Sequence, residues 1–184
     1  MATPDAATPS EPAAAPHTAP APPVTTPRGP VRLTVRNPGG RQLVNTLVGR
    51  VDPVRTGGGY QPIDPPAWNQ AVWVRYRPLV RPTDTRSGTS YIYGHACHHH
   101  VCAFTDLAHV RPGARVTVTS GSVRTSYHVV RASAGFPKHG PGSLADRTGA
   151  IADRSIPRRI VLITCAYEHG DVSLNNFVVV AVRG

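Results

Sequence analysis

The sequence predicts a mostly β fold, a barrel or a sandwich of about eight short strands, and three observations carry that expectation. The first is the apolar supply: of 40 Leu, Ile, Val and Phe residues, 23 are Val, whose branched Cβ suits a pleated sheet better than a helix. The second is spacing, because apolar stretches of six or seven residues recur between Gly- and Pro-rich turns. The third is the scarcity of helical periodicity. At 184 residues the chain is long enough for a single core, and no internal repeat divides it.

The elements follow in order. VRLTVR (31–36) alternates apolar and polar residues and ends at the Pro-Gly-Gly turn of 38–40; TLVGRV (46–51) is a second strand, closed by the turn TGGG (56–59). Next come AVWVRY (71–76), TSYIYG (89–94), ARVTVTS (114–120) and TSYHVV (125–130). The last two, RIVLIT (159–164) and NFVVVAV (176–182), are nearly continuous apolar runs, which predicts that both of their faces are buried. Helical signals are confined to Phe104–Val110, Pro65–Gln70 and Gly142–Arg147.

Residues 1–30 stand apart, with nine Pro and eight Ala. They cannot bury a core and are expected to form a disordered, semi-stiff spacer ahead of a domain at 31–184. A basic leader followed by an apolar segment is missing, so the stretch does not read as a secretory signal. No run approaches the roughly 18 apolar residues of a membrane helix, and any membrane anchor is expected to precede Met1. Three cysteines are too few for a disulfide-dense scaffold. The formal charge is +10, but 19 of the 20 basic residues are Arg, scattered along the chain, with Arg158-Arg159 the longest run. Nucleic-acid binders cluster their charge and interleave aromatics. No nucleic-acid partner is expected, and the charge reads as solubility and attraction to an anionic surface such as a cell wall or membrane.

Reactive side chains collect in three places. YGHACHHHVC (93–102) holds His95, Cys97, three further histidines and Cys102; LITCAYEHGD (162–171) holds Cys165, Glu168, His169 and Asp171; Asn175 and Asn176 open the final strand. A lone cysteine in an apolar strand is commonly an inert small hydrophobe. Cys165, however, closes its strand, where a thiol can face a groove. His95, about 70 residues earlier and also at a strand end, is the candidate partner for a Cys-His nucleophile pair. The 95–102 loop admits a zinc site, a disulfide or plain solvated histidines. Glu168, His169 and Asp171 read as a polar loop that could also tune the thiol.

Several separated motifs together resemble the sortases, cell-surface cysteine transpeptidases with a closed eight-stranded β-barrel. SYIYGHA (90–96) is similar to the family's strand ending in Gly-His. FTDLAHVRPGARVTV (104–118) resembles its Phe-x-x-Leu helix and the strand after it. GFPKHG (135–140) resembles its Pro-Lys connection, and VLITCA (161–166) its Thr-Cys signature. The resemblance covers about residues 45–184 and is greatest to the actinobacterial class F type. It implies that Cys165 is the nucleophile and His95 its partner, with Thr164, Ile163 and Asn175 contacting substrate and no cofactor or metal. It also implies cleavage of a Leu-Pro-x-Thr-Gly type motif between Thr and Gly through a thioacyl intermediate. The partners would be surface proteins bearing that motif and an amine acceptor from cell wall or pilin, at an extracytoplasmic, membrane-tethered location. In an exported protein, a Cys97–Cys102 disulfide is the simpler reading of the loop.

One departure stands out. The family places an arginine at the start of the final strand, and this chain has Leu174, Asn175, Asn176 and Phe177 there. Aligning the strand by Ala181 puts Asn176, or else Leu174, at that position. An Asn amide can donate to an oxyanion without bringing charge; alternatively, Asn175-Asn176 merely make a turn. Two rival readings therefore stay open: a sortase-fold peptide-binding module with weakened catalysis, and a zinc protein organised by the 95–102 loop.

Overall fold

Strand β1 (Val31–Arg36) buries Leu33 and Val35 and turns Arg32 and Arg36 outward, the period-two pattern of a half-buried strand. The computed structural model describes residues 29–56, 59–60, 62–76, 79–138, 143, 151–166 and 173–184. The remaining strands are β2 (Gln42–Val51), β3 (Arg55–Thr56), β4 (Gly59–Tyr60), β5 (Ala71–Val74), β6 (Thr89–Tyr93), β7 (Arg115–Ser120), β8 (Val123–Pro137), β9 (Arg159–Ala166) and β10 (Asn175–Val182). Eight of them close a barrel in the order β1-β2-β5-β6-β9-β10-β8-β7, with β3 and β4 forming a separate two-stranded sheet. The pairs β2–β5 and β6–β9 are parallel and the other barrel pairs antiparallel. Closure leaves none of the eight strands with an unpaired edge.

The interior is filled by Leu33, Val35, Val116, Val118, Tyr127, Ile92, Ile160, Leu162, Val179 and their neighbours, and Phe104 and Leu107 close one end. A second cluster lies on the outer face of β9 and β10: Val161, Ile163, Val178 and Val180 pack with Tyr91 and Ile151, and with Tyr76, Tyr93 and Phe136 at its margin. This explains why both strands read as continuous apolar runs: alternate residues serve two cores. Arg159, at the start of β9, is buried; its guanidinium donates to Thr89 Oγ1 at 2.8 Å and to the carbonyls of Ile151 and Asp153. Those bonds fasten the 151–158 segment over the outer cluster.

Three expectations about elements need correcting. The second strand starts at Gln42, four residues early, because Leu43 and Val44 are buried, and Val44 and Gln42 pair with Val35 and Arg36 across a bulge at Leu43. The sixth expected strand, 125–130, extends to Pro137, since β8 pairs with β7 along its first half and with β10 along its second; its RASAGFP half is small and polar, so pattern alone does not mark it. Pro65–Gln70 is not a helix. Its carbonyls are taken by distant donors: Pro65 O by His95 Nε2, Trp68 O by the Ala103 amide and Asn69 O by the Thr46 hydroxyl. Phe104–Val110 does form a helical turn, a 3₁₀ helix over Thr105–His109. The expected helix at Gly142–Arg147, apart from Ser143, and the expected spacer, apart from Gly29 and Pro30, lie outside the described residues. Among the described residues, no helix is long and apolar enough to cross a membrane.

Candidate active site

The site is assembled by strand register. In the antiparallel pair β9–β10, Cys165 lies directly opposite Asn176, and Asn176 lies opposite Phe136 of β8. Residues facing each other across antiparallel strands project to the same side, so Phe136, Asn176 and Cys165 form one row on the outer face. On the other side of β9, parallel β6 pairs Tyr93 with Ile163, and the Gly94 amide donates to Ile163 O at 3.1 Å. Carrying that register two residues onward sets His95 level with Cys165. Ile163 is on the same face as Cys165 and is buried in the outer cluster. Burial, with Tyr76 beside it, holds the Tyr93 phenol well above its ordinary pKa, so the floor below the thiol is neutral.

Thr164 points the other way. It is buried, and its hydroxyl donates to Gly94 O at 2.7 Å, which ties β9 to the turn carrying His95 and leaves that donor unavailable to anything in the Cys165 row. Asn175 is opposite Ala166 and Pro137, on the face away from Asn176, and its carbonyl accepts the Ser173 hydroxyl. Leu174 is 75 % exposed. Arg183 is at the far end of β10, seven residues from Asn176 or about 23 Å at strand rise, so it cannot stand in for the arginine missing here.

Gly94 explains the Gly-His pattern. A Cβ there would come within 2.7–3.1 Å of three atoms of the fully buried Phe104 ring. Only glycine lets the ring lie against the strand end, and from that position the Phe104 amide donates to His95 O at 2.8 Å. The ring of His95 is largely covered. Its Nε2 donates to Pro65 O at 2.7 Å, with the exposed Asp64 carboxylate 3.6 Å away, and Trp68 stacks on it with ring centroids 4.3 Å apart. A carbonyl only accepts, so Nε2 carries a proton, and Nδ1 is the nitrogen left to exchange one. Trp68 and the DPPAW segment around it gave no sequence signal for this contact beyond an aromatic among prolines.

Cys97 and Cys102 are joined in a disulfide, closing the loop directly after His95, while Cys165 is a free, half-buried thiol. His100 lies near the disulfide sulfurs, but a zinc site of that composition needs both thiolates, and the disulfide consumes them. The zinc reading of the loop is thereby corrected. Glu168, His169 and Asp171 fall outside the described residues.

One site residue escaped the sequence reading as a functional group. Lys138, which follows Pro137 at the end of β8, places its Nζ 3.4 Å from Cys165 Sγ, the ammonium donating to sulfur. Its backbone amide donates to Leu174 O at 3.1 Å, fixing the residue beside the start of β10. The available signal was compositional: it is the single Lys among 20 basic residues.

A family model described as Sortase domain matches residues 48–184. Among solved structures, sortase A from Corynebacterium diphtheriae (a lid mutant) superposes with a TM-score of 0.57 at 16% identity, over 85% of this chain and 72% of that one. Sortase A from Listeria monocytogenes gives 0.54 at 18% identity over 83% and 86%, and sortase C-1 from Actinomyces oris 0.52 at 17% over 83% and 73%. At these identities the structural likenesses establish the fold alone. A search of curated proteins found no match. The family model spans most of the chain and the barrel agrees with it, so the chain belongs to the sortase family, whose members are extracytoplasmic cysteine transpeptidases.

Proposed function

We propose that the protein cleaves a Leu-Pro-x-Thr-Gly type sorting motif between Thr and Gly and transfers the acyl fragment to an amine from cell wall or pilin, or to water. The observation that supports this most is the level placement of Cys165, a free thiol, at the end of β9 between His95 and Asn176. In this reading the Cys165 sulfur donates its electron pair to the Thr carbonyl carbon, and the C=O π pair moves onto oxygen. The oxyanion accepts a hydrogen bond from the Asn176 amide. Its collapse expels the glycine amine, which takes a proton from the His95 imidazolium and leaves a thioester on Cys165. The acceptor amine then attacks the thioester, gives a proton to His95 and releases the thiolate. Ile163 supplies apolar floor beneath the bound peptide, and Thr164 acts through Gly94 by holding the His95 turn. The motifs around His95 favour the class F type, and a tethered location at the cell surface follows the family.

The lack of an arginine among Leu174–Phe177 at the start of the final strand favours a second reading, a sortase-fold module that binds sorting peptides without turning them over. Intact-protein mass spectrometry with a Leu-Pro-x-Thr-Gly peptide separates the two. The expected result is a Cys165 adduct with the mass of the peptide acylated through Thr, absent from Cys165→Ala and discharged by triglycine. Saturable binding with no adduct and no cleavage would establish the module instead.

A further inference from the structure

We propose that Lys138 is a catalytic residue. Its ammonium is the charge partner of the Cys165 thiolate, and it supplies the positive charge that the start of the final strand lacks. The inference rests on the transpeptidase reading and assigns a role that reading leaves empty. Its carrying observation is direct: the Lys138 Nζ donates to Cys165 Sγ at 3.4 Å. The placement is built by the backbone. Proline at 137 has its own φ fixed by its ring, Asn175 pairs with Pro137, and the Lys138 amide is held by Leu174 O. The end of β8 is thus bound to the strand start where the arginine is missing. A lysine suits a site where the charge must move by an ångström or two, being a compact cation on a flexible stem.

The electron flow shows what the ammonium does. When the thiol gives up its proton, the negative charge sits on Sγ, next to Nζ. When sulfur attacks, that charge passes through the new C–S bond to the carbonyl oxygen, which is attached to the carbon bonded to Sγ and so stays within reach of Nζ. On collapse the charge leaves with the amine's new N–H bond, whose proton comes from His95. Lys138 keeps all its protons throughout; while protonated it has no lone pair and cannot capture the thioester itself. Among the described residues, the other groups toward this row are His95, whose Nε2 is held by Pro65 O, the phenols of Tyr93 and Tyr76 in the outer cluster, the Arg131 guanidinium over the Phe136 ring at 5.2 Å, and Arg154 over Tyr76 at 3.9 Å.

The test uses Lys138→Met, which keeps the stem without charge, and Lys138→Arg, which keeps charge with a broader head. Iodoacetamide alkylation of Cys165 is followed across pH, with peptide turnover measured in parallel. We expect Lys138→Met to alkylate about tenfold more slowly at neutral pH and to converge on wild type at high pH, where any thiol is ionised. We expect kcat/KM to fall about 10²-fold, and Lys138→Arg to retain a measurable part of both. Alkylation needs no peptide, so it judges Lys138 even if the sorting-motif reading fails, whereas a missing Cys165 adduct in wild type overturns that reading alone. A Lys138→Met alkylation profile that coincides with wild type at every pH overturns the proposal, as does an isopeptide adduct on Lys138 during turnover, which would make it a nucleophile. A circular dichroism spectrum matching wild type accompanies each variant; if Lys138→Met does not fold, Lys138→Gln carries the same comparison.

Discussion

Replacing Gly94 with alanine probes how the fold delivers His95 to the site. The new Cβ would meet Phe104 atoms at 2.7, 2.8 and 3.1 Å, against about 3.5–4.0 Å for a relaxed carbon contact. The ring must therefore retreat by about 1 Å, and it is fully buried in the barrel's end layer with Leu107. Overpacking of that size costs about 1–3 kcal/mol. Because the Phe104 amide holds His95 O at 2.8 Å, the displacement passes to the histidine, and an ångström of misplacement costs on the order of 10²-fold in rate. Urea denaturation and peptide cleavage of Gly94→Ala measure the two effects. A second pair of proteins, Phe104→Leu with and without Gly94→Ala, isolates the clash: with the ring gone, the added methyl should cost clearly less, and the two changes should couple. Equal costs in both backgrounds would refute the reasoning, as would wild-type stability and rate in the single variant.

Asn176→Ala should lower the cleavage rate about 10²-fold with little loss of stability, since its backbone pairing survives; an unchanged rate moves the oxyanion donor elsewhere. Thiol titration of the denatured, unreduced protein should find one reactive group, Cys165, and Cys97→Ser with Cys102→Ser should lower stability by about 2 kcal/mol through the loop it frees; three free thiols in protein from an oxidising compartment would contradict this. Burial raises the phenols of Tyr91 and Tyr127 to about 12, so the stability they contribute is complete below pH 10 and is lost as pH rises through about 12, roughly 2–3 kcal/mol each. Urea midpoints that hold level from pH 9 to pH 12 would contradict that assignment.

The barrel was legible because its signals are local. Alternation in VRLTVR, the two-faced burial of RIVLIT and NFVVVAV, and the turns between strands all follow from period-two chemistry. The misses share one cause, which is partners distant in sequence. Nothing in RASAGFP says that β10 will pair with it, and nothing in PPAWNQ says that Thr46, His95 and Ala103 will claim its carbonyls. At the site, Cys165 and His95 could be singled out because each stands near the end of an apolar run and carries unusual chemistry for its position. The resemblance implies that Thr164 contacts substrate, yet one step along a strand reverses a side chain, and its hydroxyl goes to Gly94 O.

Lys138 was the least legible residue because its role depends on a contact 27 residues away, made by a strand extension that pattern did not reveal. It also changes how the missing arginine is understood. An arginine brings charge and a rigid fork of donors in one side chain. Here those two properties fall on different residues with different mobility. Asn176 is neutral and held opposite Cys165 by strand pairing, and in the proposed reading it donates where the oxyanion forms. Lys138 is charged and on a flexible stem, so it can serve the thiolate first and the oxyanion afterwards. In this division, Asn176→Ala leaves iodoacetamide alkylation of Cys165 untouched while slowing turnover, whereas Lys138→Met slows both. The double variant should lose less than the product of the two losses, because both residues act on one oxygen. Strict multiplicativity would mean that the two side chains act on separate steps, and that the thiolate is the only charge Lys138 serves.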